Sequence, residues 1–157
     1  GPQVLGFLRL TLFVRAVALK EKAPNAEVVA NQPAIDTTAG LDAMETILQA
    51  HPDVKVVCCI GGGGAAGANE ALKGAYGSEV PDDVGIFSTD LTDEAIASMQ
   101  NGEFDRCVVA ITGNAFVCGD VIYDLSMRYA AGEELDHEVY RDLIPVTPDN
   151  LEEMIAE

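Results

Sequence analysis

Residues Val54–Gly77 read VKVVCCIGGGGAAGANEALKGAYG: an apolar run that stops at four glycines, then an alanine-rich helical pattern closing on glycine. Val54–Ile60 is apolar and rich in β-branched residues apart from Lys55, as in a strand covered on both faces within a parallel sheet. Glycines after such a strand bend the chain and let another group approach the backbone closely. The pattern predicts a helix over 65–76, whose unpaired N–H groups would face that turn. In open α/β sheets this carboxyl end of the strands is where ligands bind. One segment therefore points both to a fold and to the place of a site.

Outward from this segment, strand and helix patterns alternate. Val4–Leu8 reads as a short strand, followed by Leu12, Ala16, Leu19 and Ala23 at helical spacing, stopped at Pro24-Asn25. Glu27–Ala30 reads as a second strand, and Asp36 as the cap of a helix carrying Leu41, Met44, Ile47 and Leu48 on one stripe. Beyond the glycines, Val84–Phe87 and Arg106–Ile111 read as strands, with Thr92 capping a helix over Asp93–Gln100 between them. Asn114–Ala131 is the longest helical pattern, closed by Gly132. Leu143–Val146 is a last extended piece and Pro148–Ala156 a terminal helix. Such alternation predicts an α/β fold, a three-layer αβα sandwich built on a mainly parallel sheet. No internal repeat or long linker interrupts it. The chain opens Gly1-Pro2 without an initiator Met, which reads as the scar of a cleaved tag. Residues 3–157 are then expected to form a single lobe.

At 157 residues with 48% hydrophobic composition, the chain can bury a core of its own. Its net charge of −17 repels phosphate backbones and anionic membrane surfaces, so neither is expected as a partner. No apolar segment has the length of a membrane span. The acidic runs Glu133-Glu134 and Glu152-Glu153 read as solvated faces. Four cysteines without metal-ligand spacing read as buried free thiols.

Chemistry-bearing motifs are few. Gly61–Gly64 lacks the Gly-Lys-Ser/Thr ending of a P-loop, and its match to a dinucleotide fingerprint at Gly62–Gly67 is one that any glycine run would make. A nucleotide-binding α/β enzyme is the weaker alternative that this run supports, a tight turn the plainer one. His51 and His137 fall in polar loops, and no Gly-x-Ser-x-Gly elbow is present. These residues predict binding rather than catalysis, with no cofactor and no metal. Asp90 ends an apolar strand at its carboxyl edge, where a carboxylate can accept hydrogen bonds from paired hydroxyls. Arg15, near the start of the first helix, could offer a fork of donors from the same edge. Each also has an ordinary reading: Asp90 as a cap for the helix after Thr92, Arg15 as a solvated charge.

In order and spacing, several blocks resemble the type I periplasmic-binding family, the sugar receptors of bacterial ABC transporters, whose fold also forms the core of LacI-type repressors. They are RAVALKEKAPNAEV from Arg15, LQAHPDVKVV ending at Val57, GANEALKGAY from Gly67, DLTDEAIASMQNGE from Asp90, Gly119–Glu133 and the IPVTPDN terminus. The resemblance runs from about Val4 to about Asn150 and implies the second of two lobes that clamp a sugar between them, with residues 105–145 crossing to the first lobe and returning. It implies ligand contacts at Arg15 and Asp90. Where the family has Asn-Asp after the central strand this chain has Gly61-Gly62, and the usual Gln before the long helix falls near Gly113. Glycines there remove hydrogen-bonding arms, a departure from the family's ligand contacts, and one lobe offers only one wall of a site, so weak or undetectable sugar affinity is expected. The resemblance further implies an ABC permease as partner and a periplasmic or extracellular location, with a lipoprotein anchor compatible. A ligand-sensing domain of a LacI-type regulator or of a sensor kinase is the alternative it carries. The apolar stripe Val117, Val121 and Leu125 is expected to fold back on its own lobe or to pack against a second copy of the chain, a homodimer by helix packing or segment exchange.

Overall fold

The structure, a computed structural model, describes residues 21–22, 26–111, 115–140 and 142–156. The chain divides into two units, Gly1–Gln32 and Pro33–Glu157. In the first, Glu21 and Lys22 are helical, within the helix expected up to Ala23, and residues 26–32 have no regular structure. The strand expected at Glu27–Ala30 is therefore not formed, because an extended segment becomes a strand only by pairing in a ladder. The expected Val4–Leu8 strand lies outside the described residues.

The second unit alternates helix and strand in the expected order. Its elements are α1 (Thr37–Ala50), β1 (Val56–Cys58), α2 (Gly62–Tyr76), β2 (Gly85–Thr89), α3 (Asp93–Gln100), β3 (Asp105–Ile111), α4 (Ala115–Ala130), β4 (Leu143–Val146) and α5 (Leu151–Ile155). The four strands form one sheet in the order β1-β2-β3-β4. β1, β2 and β3 run parallel, while β4 pairs antiparallel with β3 through Val108–Val146 and Ala110–Ile144. This is the mainly parallel sheet of an αβα lobe.

Two caps were legible in advance and form as expected. The Asp36 carboxylate accepts the Ala39 N–H at 2.8 Å, and the Thr92 hydroxyl accepts the Ala95 N–H at 3.3 Å. Each satisfies one of the donors that a helix start leaves unpaired.

β1 is shorter than its apolar run, and the helix after it is longer than predicted, beginning at Gly62 inside the glycine series. The reason is packing between helices. A Cβ on Gly67 would lie 2.2 Å from the Thr37 carbonyl oxygen, and one on Gly40 would lie 2.7 Å from the Gly64 carbonyl oxygen. The backbones of α1 and α2 thus touch, and only glycine fits at the crossing.

Side-chain alternation in the strands assigns the core. Ile86, Ser88 and Val108 are buried, whereas Phe87, pointing to the opposite face, is 40% exposed. On the buried side, Met44, Leu72, Val84, Ile86 and Phe104 cluster with the alanines of α2. Val108, Val146 and Leu151 cluster with Ala95 and Met99 of α3. Removing this much apolar surface from water, at about 25 cal/mol per Å², is the main source of the lobe's stability.

α4 behaves differently. No residue from Val117 to Ala130 is buried, and Ile122, Tyr123 and Tyr129 are more than 60% exposed. Of the expected stripe, Val117 is 43% exposed while Val121 and Leu125 are half-buried. The helix itself forms over Ala115–Ala130, close to the expected Asn114–Ala131. Its last turn is tied locally, where Arg128 donates to both carboxylate oxygens of Glu133 at 2.7 and 2.9 Å. Among the described residues, no helix is long and apolar enough to cross a membrane.

Candidate functional site

Parallel pairing brings the carboxyl ends of β1 and β2 to one edge of the sheet. After β1 the chain turns at Gly61, in the left-handed region at φ 84°, and enters α2 without a side-chain cap. The first-turn N–H groups of α2 therefore face the edge, where the partial positive charge of a helix start favours acceptor atoms. After β2 the chain turns at Asp90, which adopts φ 71° and is the one non-glycine residue at positive φ among the described residues. Aspartate tolerates this region better than most side chains, yet at a cost of about 1 kcal/mol.

The two turns are joined. The Gly61 N–H donates to the Thr89 hydroxyl at 2.9 Å, and a Cβ on Gly61 would lie 3.7 Å from Asp90 Oδ2. The Asp90 carboxylate thus sits over Gly61, exposed to solvent. A Cβ on Gly62 would run into the Thr92 methyl at 2.3 Å. A side chain at Gly62 would crowd Thr92, and at Gly61 the positive φ rather than lack of space disfavours one, so the smoothness of this rim has a local structural cause. The edge offers one carboxylate acceptor beside backbone donors, which can grip vicinal hydroxyls.

Of the residues singled out in the sequence, Asp90, Gly61 and Gly62 come together here. Arg15 and Gly113 lie outside the described residues. Asp90 does not cap α3 with its side chain; Thr92 does, and the Asp90 carbonyl accepts the Thr92 N–H at 3.0 Å. The Asp90 carboxylate is left available. Among the described residues, no three histidine, cysteine or acidic side chains converge closely enough to hold a metal ion.

Sequence reasoning missed a second polar cluster at the opposite ends of these strands. Asn69 of α2, buried, accepts from the Phe104 N–H at 3.2 Å and donates to Glu103 at 2.7 Å. Ser98 of α3 accepts from the Asp105 N–H at 3.3 Å. Asp105 itself is 3% exposed, and burial pushes its carboxyl up to about 6 against the opposing Ser98 hydrogen bond. The one clue in the sequence was an aspartate opening an apolar strand, at a position where an acidic chain invites a solvated reading.

The single α/β lobe thus presents a glycine rim and one carboxylate at its strand ends. A family model described as a periplasmic binding protein domain matches residues 9–134, and the chain belongs to that family, one of non-catalytic solute-binding proteins. It is 31% identical over 141 residues to a Rhizobium meliloti protein provisionally named a rhizopine-binding protein, covering 89% of this chain and 44% of that one. It is 26% identical over 110 residues to the ABC transporter periplasmic-binding protein YphF of Escherichia coli strain K12, covering 70% of this chain and 32% of that one. Its fold superposes with a TM-score of 0.73 on a solved Mycobacterium smegmatis structure in complex with β-D-fucofuranose, at 25% identity, covering 87% of this chain and 43% of that one. The chain thus spans less than half the length of the curated relatives that it matches.

Proposed function

We propose that this chain is the second lobe of a sugar receptor of a bacterial ABC transporter, binding without catalysis and without a cofactor. The observation that carries the reading is the Asp90 carboxylate held over Gly61 beside the open N-terminus of α2. That arrangement offers an acceptor for paired hydroxyls at the sheet edge where α/β lobes take their ligands. Relatives named for rhizopine and for an ABC transporter, and a structural neighbour holding a furanose sugar, support it.

In this reading, closure of two lobes around the sugar creates the form that the permease recognises, on the outer side of the cytoplasmic membrane. Arg15 and the segment around Gly113 are proposed to complete the ligand contacts. One lobe contributes one wall, whereas small-ligand sites bury most of the ligand's surface. The chain alone should therefore bind weakly. Residues 105–145 are proposed to serve as the crossing and returning segment. In the isolated chain, the exposed face of α4 is proposed to pair with a second copy, so light scattering should give twice the monomer mass. A monomer at all concentrations would rule that pairing out.

The test is a titration of pentoses, hexoses and inositols into the chain, followed by amide chemical shifts. Weak saturable shifts centred on Gly61, Thr89 and Asp90, and lost in Asp90→Ala, are the expected result. A response confined to nucleotides would favour the enzyme alternative. Sugar shifts that ignore Asp90→Ala would remove the site assigned here.

A further inference from the structure

The amino ends of β2 and β3 carry a cavity that the sugar-binding reading does not use. The register Ile86↔Asp105 and Thr89↔Val109 places Asp105 at the opposite end of the strands from Asp90. About 310 Å³ of space opens there between α2, α3 and the start of β3, at the small end of the range for ligand pockets.

Its walls are strongly unbalanced in charge. Glu70, Glu94, Glu103 and Asp105 line it, against the single ammonium of Lys73. That ammonium is already engaged, at 3.0 Å from Glu70 and 3.2 Å from Glu103. Glu94 and Asp105 have no ion-pair partner among the described residues. Asp105 is the decisive group. Its Oδ1 has no hydrogen-bond partner among the described residues, although the residue is only 3% exposed. A buried carboxylate oxygen left unpaired is costly, and native structures rarely leave one so without a reason.

We propose that this cavity binds an organic cation, an alkylammonium or alkylguanidinium group, through Asp105 and Glu94. The carboxylates do not converge tightly enough for a metal ion, since no three acidic, histidine or cysteine side chains among the described residues form such a group. A nitrogen cation with several N–H donors spans wider spacings and can serve a carboxylate at each side. The elevated titration of Asp105 fits a site waiting for positive charge, because a bound cation would restore the ionised form. From α2 the groups facing it are Glu70 and Lys73, from α3 Glu94, and from the preceding loop Glu103.

The experiment is an NMR titration of the whole chain at fixed ionic strength with n-butylammonium and with ethylguanidinium, sodium chloride serving as control. Saturable shifts at the Glu103 and Asp105 amides are expected. They should weaken by about tenfold in Asp105→Asn, the loss of a charge-assisted contact, and fall also in Glu94→Gln, a surface change that leaves the fold intact. Shifts linear in concentration, shifts reproduced by sodium chloride, or binding undiminished in both variants would overturn the proposal. Agmatine and a blocked glycine-flanked arginine peptide separate the sources of the group. Binding of agmatine alone marks a free small cation, binding of both marks a side chain that a protein partner can insert, and binding of neither overturns the proposal.

Discussion

A Cβ placed on Gly67 would stand 2.2 Å from the carbonyl oxygen of Thr37, so the two helix backbones meet at this pair with no room for a methyl group. The obstacle is backbone, which cannot swing aside as a flexible side chain can.

This contact reverses the usual preference for alanine in a helix. Gly67→Ala should destabilise the lobe by about 2 kcal/mol or more, as overpacking outweighs the gain of roughly 1 kcal/mol in helix propensity. Gly74→Ala in the same helix meets nothing within 4 Å and should stabilise by up to about 1 kcal/mol. Urea melts of the two variants test the pair; equal effects of the same sign would refute the crossing geometry.

The ligand role proposed for Asp90 can be separated from stability. With φ at 71°, Asp90→Gly should relieve strain and raise stability by up to about 1 kcal/mol, while abolishing the sugar response. Loss of stability together with binding would mean that the carboxylate holds the loop rather than a ligand.

Asn69 of α2 ties down three residues, Glu103 and Phe104 in the loop before β3 and Ser98 in α3. Asn69→Ala leaves the buried Phe104 N–H without an acceptor and should cost about 2–3 kcal/mol. Asn69→Asp keeps the acceptor but sets a second carboxylate against Glu103, so its melting temperature should fall as pH rises from 4 to 8. A flat profile would place Glu103 elsewhere.

Asp105 sets a pH dependence of known sign. Its carboxyl is raised from the ordinary 3.8 to about 6, so between these values the folded state holds a proton that the unfolded state has released. Stability from this group therefore declines as pH rises through that window and is lowest above it. The full displacement corresponds to roughly 3 kcal/mol at most. Asp105→Asn should raise the melting temperature at pH 8 and leave it nearly unchanged at pH 3.5. A gain independent of pH would show that the carboxyl titrates normally.

Much of this was readable from the chain. Period and punctuation located β3, β4, α4 and both capped helices, since Asp36 and Thr92 act through local hydrogen bonds that a short window contains. The glycine series was read as a turn, but only Gly61 turns and Gly62–Gly64 already belong to α2, because its partner, α1, is distant in sequence and crossings leave no local pattern. Glu27–Ala30 misled for a related reason: composition reports a tendency to extend, and pairing decides whether a strand results. At the rim, Asp90 and Gly61 were located by their place after strands. Asp105 left a single clue, its place at the start of an apolar strand, since its burial depends on Ser98 and Asn69, which converge only in the folded lobe.

The hydrogen bond from the Gly61 N–H to the Thr89 hydroxyl has a thermodynamic consequence for the recognition proposed at this rim. It cross-links neighbouring turns before any guest arrives, so the rim is preorganised and little conformational entropy remains to be lost on association. Selectivity among related guests should then reside in enthalpic fit along a stiff lip, and Thr89→Val should broaden the range of guests accepted.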